Sequence, residues 1–392
     1  MANTFKFGNE NWAVKDGSAL AYNDENNNFK PLPFDFTRAS SATTLNRQGL
    51  IETVGSGKPR IDFTDNTDGH LLLEPSRTNF LSYSEDFSNW ALNGDSISET
   101  SSKAFGKPIW TLTESSSSFQ GVFISATGVT IGTITASVLV RASASDLFRL
   151  RFGATTNKNV DFNLSSGTVT SGSSGANGTI NSYGDGWYLC TMSVTATSST
   201  QSFAIYTNSG SVDVIHAQLE AGSYATSYIP TEGSNVTRVA ETCNGAGNSN
   251  VFNDSEGVLF VNAAALNNDG TYRTFSINNG ATTNSILIGY ANTSNKIIAE
   301  TNVAGTKVQT NTVAVTNALD FNKMAIKYKL NDYSLYVNGS ELATDTSASV
   351  PTGLNELDID RGDDVIPFYG KIKEIKVYNT ALTNTELQNL TS

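Results

Sequence analysis

Apolar and polar residues alternate with a period of two along most of this chain, in short runs closed by Gly, Asn, Asp or Pro. That pattern constrains the fold more than any other feature, because a period of two belongs to a strand with one buried face. In "LFRLRFG" the residues Leu147, Arg149 and Arg151 share one side, and Phe148, Leu150 and Phe152 the other. "KMAIKYKL" sets Met324, Ile326, Tyr328 and Leu330 against Lys323, Lys327 and Lys329. Runs of this length with no intervening helical period imply antiparallel sandwiches and exclude a βαβ rhythm. Charged residues make up 16% of the sequence, below the usual share of about 25%. Ser, Thr, Asn and Gly take their place, as sandwich faces and turns require. A disordered stalk is excluded, since apolar runs recur throughout.

The 392 residues divide on this pattern into four stretches. Residues 1–80 hold only interrupted apolar pieces and read as an extended attachment and oligomerisation segment. Residues 81–230 form a first sandwich, 231–250 a turn-rich linker, and 251–392 a second sandwich. The expected fold is therefore all-β: two antiparallel β-sandwiches of jelly-roll type behind an extended N-terminal segment. Asn338-Gly339 predicts a hairpin turn, both positions favouring positive φ. In "GKIKEIKVYN" the apolar phase slips between Ile372 and the pair Ile375/Val377, which predicts a bulge or bend at Lys373. One short helix closes the chain: Thr383 and Glu386 make a capping box, and Leu382 with Leu387 the accompanying hydrophobic staple.

The net charge of −12 argues against a nucleic-acid partner, which calls for a basic stripe. No run reaches the roughly 20 apolar residues of a membrane helix, and the opening "MANTFKF" lacks the apolar core of a signal peptide. The expectation is a protein assembled in the cytoplasm where it is made, with no membrane insertion. Cys190 and Cys243 are too few for a disulfide framework, and Cys190, inside "GWYLCTMSV", reads as a small core residue.

Three stretches carry a resemblance. "FDFTRASSATTLNRQGLIETV…PRIDF…GHLLLEPSRTNFLSYSEDFSNWA" looks like the N-terminal portion of phage tail and head structural proteins. "GDGWYLCTMSVTA…VIHAQLEAGSYATSYIPTEGSNVTRVAE" resembles the end of the jelly roll that follows there, a module similar to carbohydrate-binding modules. "YSLYVNGSELAT…FYGKIKEIKVYNTALTNTELQNL" is similar to laminin-G and concanavalin A-like lectin domains. The resemblance implies a virion structural protein of fibre, tail or capsid-surface type. Its implied partners are other virion proteins, sister chains in a homo-oligomer (a trimer favoured) and host-surface glycans.

Chemistry-bearing residues are few. In "ELDID" strand alternation puts Glu356, Asp358 and Asp360 on one face, roughly 7 Å between successive members. Paired carboxylates are what glycoside hydrolysis needs, so a depolymerase acting through these three is the enzymatic alternative. A cellular lectin is another. The expectation is nevertheless a protein that is not an enzyme, because outward acids on such a strand are ordinarily just solvated. Asp358, Asp360, Asp363 and Asp364 also offer hard oxygens to calcium, as do "DNTDG" (65–69) and "NDENN" (23–27). No cofactor is expected, with a structural calcium left open. His70 and His216, the only histidines, lack the partners for zinc or a Ser-His-Asp triad. His216 reads as a hydrogen-bonded strand residue. For glycan stacking the aromatic candidates in the first sandwich are Trp110, Tyr183, Trp187 and Tyr206.

Overall fold

A computed structural model describes residues 5–8, 13–15, 17–20, 22–23, 28–29, 34–64, 67–153 and 157–392. The chain forms two compact units, one of residues 42–53 and 76–239, the other of 1–41, 54–75 and 240–392. Both are antiparallel β-structures, and the all-β expectation holds.

The first unit, a jelly-roll-like sandwich, has two six-stranded sheets. One runs in the order Ala91–Asn93, Gln120–Thr127, Thr200–Thr207, Leu147–Phe152, Lys158–Asn163, Thr168–Gly172. The other runs Ser96–Ala104, Lys107–Glu114, Gly210–Ala221, Gly132–Ala142, Trp187–Ala196, Asn177–Gly184. Phe148, Leu150 and Phe152 are buried, while Leu147, Arg149 and Arg151 stay half-exposed, as the alternation requires. They meet Val138, Val140, Cys190, Met192, Val212 and Val214 in the core between the sheets. The outer face of the second sheet carries a smaller core of Ile109, Leu139, Trp187 and Ile215, under Ile51, Phe105 and Tyr183.

The second unit stacks a ten-stranded sheet on a five-stranded one, with Leu259, Ile326 and Ile375 facing Phe275, Ile286 and Leu357. Asn338 (φ 48) and Gly339 (φ 79) make the expected turn between Tyr333–Val337 and Ser340–Asp345. The bulge at Lys373 is present. Asn262 pairs with Glu374 but Ala263 with Ile372, so Lys373 is skipped and Ile372, Ile375 and Val377 all reach the core. Gly8 lies against this bulge with φ +97, and a Cβ there would come within 1.9 Å of the Lys373 carbonyl oxygen. The helix Asn384–Thr391 has its capping box, and Leu382 and Leu387 cover Val258, Phe260 and Tyr336 on the sheet's outer face. That cover buries Ala325, and Lys327, on the same side of "KMAIKYKL", is only 5% exposed. Leu330 lies beyond the strand's end and is exposed.

The unit boundaries fall elsewhere than at 80 and 231–250. Leu71–Leu73 pairs with Gly370–Ile372, and Phe36 pairs with Cys243, so Phe34, Phe36, Leu71 and Leu73 complete the core of the second unit. Residues 42–53 instead belong to the first unit, where Ile51 bonds to the Phe105 carbonyl at 2.9 Å. The presumed linker supplies strands to both: Val236–Arg238 pairs with Arg77–Asn79, and Thr242–Asn244 with Phe34–Thr37. Apolar pieces too short to form a core alone gain one by pairing at long range. Cys190 and Cys243 are free thiols, each buried in its own unit.

Candidate functional site

The second unit holds an open cleft of about 380 Å³, lined by Asp35, Thr37, Asn244, Glu356, Asp358 and Asp364 among others. Its floor follows from the alternation of "ELDID". Leu357 and Ile359 enter the core, which turns Glu356, Asp358 and Asp360 to the opposite side. Asp358 and Asp360 are nevertheless buried, at 5% and 2% exposure, because the chain between 242 and 246 and the turn after 360 close over them. Gly245 N donates to Asp358 Oδ1 (2.6 Å) and Asn278 Nδ2 to Oδ2 (2.7 Å). Gly362 N donates to Asp360 Oδ1 (2.5 Å) and Asn244 Nδ2 to Oδ2 (2.7 Å). Asn244 Nδ2 also reaches Asp364 Oδ1 (2.9 Å), and its Oδ1 accepts from Ile359 N (3.1 Å).

Burial, opposed by these hydrogen bonds, pushes Asp360 up to about 6. Asp358 and Glu356 are raised for the same first reason, with neighbouring carboxylates adding to it. The arrangement is two wired carboxylates under a polar rim, with Glu356 half-exposed and Asp364 exposed. Such a rim can accept hydrogen bonds from hydroxyl groups through carboxylate oxygens in fixed positions.

The calcium candidates do not converge. Among the described residues no three of His, Cys, Asp and Glu come together in a geometry that would hold a metal ion. Both oxygens of Asp358 and of Asp360 accept from N–H donors, and Asp363 is turned to the Arg361 guanidinium. Asp65 and Asn66 of "DNTDG", and residues 24–27 of "NDENN", lie outside the described residues.

The aromatic candidates need correction too. Trp110 packs into the inter-sheet core, Tyr206 is 6% exposed and Trp187 1%. Arg141 lies over the Trp187 ring at 4.8 Å and Phe105 meets it edge-on at 6.1 Å. None of these three has an open ring face for a sugar. Tyr183 alone keeps a half-exposed ring, edge-on to Phe105 at 5.6 Å. His216 stacks on Tyr228 at 3.9 Å, and its Nδ1 has no hydrogen-bond partner among the described residues, against the expectation of a bonded strand histidine. Burial, with Lys107 nearby, lowers it to about 3, so it is neutral at pH 7.

Sequence reasoning missed Asn244, Gly245 and Asn278, which hold the carboxylates. The available signal was the Asn244-Gly245 dipeptide inside the stretch read as a linker.

Residues 258–388 match the concanavalin A-like lectin/glucanases superfamily, a third of the chain. No curated protein matches the chain in sequence. Among solved structures, a family-40 carbohydrate-binding module from the IT-sialidase of Ruminococcus gnavus, bound to α2,3-sialyllactose, is similar at 19% identity and TM-score 0.33. That alignment covers 38% of this chain and 94% of the module. Leech intramolecular trans-sialidase is similar at 23% identity and TM-score 0.31, over 36% of this chain and 23% of the enzyme. Domain 4 of the extracellular arabinanase AbnA from Geobacillus stearothermophilus, in complex with arabinotriose, is similar at 13% identity and TM-score 0.32, over 44% of this chain and 82% of that domain.

Proposed function

We propose that this chain is a non-enzymatic glycan-binding protein of a bacteriophage particle, assembled with other virion proteins in the host cytoplasm. The observation that carries the glycan half is the polar cleft at Asn244, Glu356 and Asp364 within the lectin/glucanase-like unit. The open carboxylates of Asp35, Glu356 and Asp364 can accept from sugar hydroxyls, and the cleft's two inner carboxylates are already occupied by N–H donors. That occupation favours binding over hydrolysis, because a general acid must reach the glycosidic oxygen. The virion half is supported by the likeness of the 34–91 and 184–241 stretches to phage structural proteins. A homo-oligomer, a trimer by preference, would raise the effective concentration of weak sites.

The test is a glycan array probed with the full chain, followed by Glu356→Ala and Asp364→Asn at the cleft rim. Asn tolerates the positive φ of 57 at position 364. Binding of a hydroxyl-rich glycan that falls about tenfold in either variant supports the reading. Absence of any bound glycan, or release of reducing ends from host polysaccharide, overturns it. Absence of the chain from purified particles overturns the virion assignment.

A further inference from the structure

The first unit presents a second surface of different chemistry, on the solvent side of the sheet that contains Leu147–Phe152. Strand register places the outward side chains of this sheet in rows. One row reads Asn93, Gly121, Tyr206, Arg149, Asp161 and Ser171 across six strands. Its polar groups satisfy one another. Arg149 clamps Asp161 through two hydrogen bonds (2.6 and 2.8 Å) and lies over the Phe119 ring at 4.0 Å. Ser171 Oγ donates to Asp161 (2.7 Å), and Asn93 Nδ2 to the Tyr206 hydroxyl (3.3 Å).

The adjacent row reads Ala91, Phe123, Ala204, Arg151 and Asn159, and it is not satisfied. Phe123 is half-exposed and has an alanine as its register partner on both sides. Arg151 is half-exposed, has no carboxylate partner among the described residues, and makes one long hydrogen bond, to Asn157 Oδ1 at 3.4 Å. Asp161, the carboxylate of the neighbouring row, is already neutralised by Arg149. An aromatic face and an uncompensated guanidinium thus stand two strands apart, about 10 Å at ordinary strand spacing, with the small Ala204 between them. Hydroxyls of Ser125 and Ser202 flank the same stretch in register with each other.

We infer that this row binds a carboxylate-bearing sugar unit of a polysaccharide. A sugar ring lies with its C–H face on Phe123 and spans the buried Ala204, which sends a ring carboxylate to Arg151. A guanidinium takes a carboxylate through two parallel N–H donors, a geometry that a neutral hydroxyl cannot reproduce. In a chain of net charge −12, an arginine with no carboxylate partner among the described residues, beside a half-exposed aromatic, selects an acidic ligand on local charge alone. This site is separate from the cleft of the second unit and does not depend on it.

Calorimetry on the full chain tests it, with the tetramer of galacturonic acid as probe and the same tetramer with its carboxylates reduced to alcohols as control. The acidic tetramer is expected to bind, and to lose about tenfold or more in affinity on carboxylate reduction and in Arg151→Gln, since a charge-assisted bond is worth roughly 1.5–3 kcal/mol. Phe123→Ser is expected to weaken the acidic and the reduced tetramer alike. Lys103→Gln, which removes an exposed charge elsewhere in the same unit, is expected to leave binding unchanged. Equal binding of both tetramers, unchanged binding in Arg151→Gln with an unchanged melting transition, or no binding at millimolar tetramer would each overturn the assignment.

Discussion

Arg38 Nη1 donates to Glu241 Oε1 at 2.6 Å across 203 residues of sequence, with both side chains withdrawn from solvent. Arg60 joins the same carboxylate through Nε (2.9 Å) and Nη2 (2.5 Å), and the Glu74 backbone N–H adds a fourth donor at 2.9 Å. One buried glutamate therefore ties three N-terminal pieces to the start of the C-terminal portion. The expected result of Glu241→Ala is a loss of about 3–5 kcal/mol from the second unit, because two buried guanidinium groups lose their main counter-charge. Urea unfolding followed by a probe in that unit measures it, and a loss below about 1 kcal/mol would contradict the role.

Acid acts in opposite directions on the two units through two buried groups. The carboxyl of Asp360 has its folded pKa raised from 3.8 to about 6. Its contribution is fully present below about pH 4 and lost as pH rises through 6. His216 is lowered from 6.5 to about 3, so its contribution is present above 6.5 and lost as pH falls toward 3. Thermal unfolding from pH 4 to 7 in Asp360→Asn and His216→Asn is expected to differ from the parent with opposite slopes, each at most about 1.4 kcal/mol per pH unit. Parallel slopes in the two variants would refute this.

Gly8→Ala is expected to cost more than Gly339→Ala. Both glycines have positive φ, which alone costs about 1 kcal/mol. At Gly8 the added carbon also strikes the backbone of the Lys373 bulge, whereas at Gly339 the nearest atom is the terminal Ser392 hydroxyl at 3.0 Å. Denaturation midpoints of the two variants check the order.

Both thiols are expected to stay silent toward a thiol reagent in the folded chain and to react together on denaturation. Burial raises Cys190 and Cys243 well above the usual thiol range, and the thiolate is the reacting form. Fast labelling of either one under native conditions would show that its unit opens locally.

Strand identity, the turn at Asn338-Gly339, the bulge at Lys373 and the cap at Thr383 were all legible in the sequence. Each is set by neighbours within a few residues, through side-chain period, φ preference or local hydrogen bonding. The shared face of Glu356, Asp358 and Asp360 was legible for the same reason. That Asp358 and Asp360 would be roofed by Asn244, Gly245 and Gly362 was not. Nor was the fate of Trp110, Trp187 and Tyr206, since a strand's period says which side a ring takes but not what covers that side. The sequence alone determined a β-sandwich protein with a capped terminal helix. Only the tertiary structure decided that the pieces before residue 80 are shared between two cores, because pairings such as Phe36 with Cys243 and Leu71 with Ile372 depend on long-range register that no local pattern encodes.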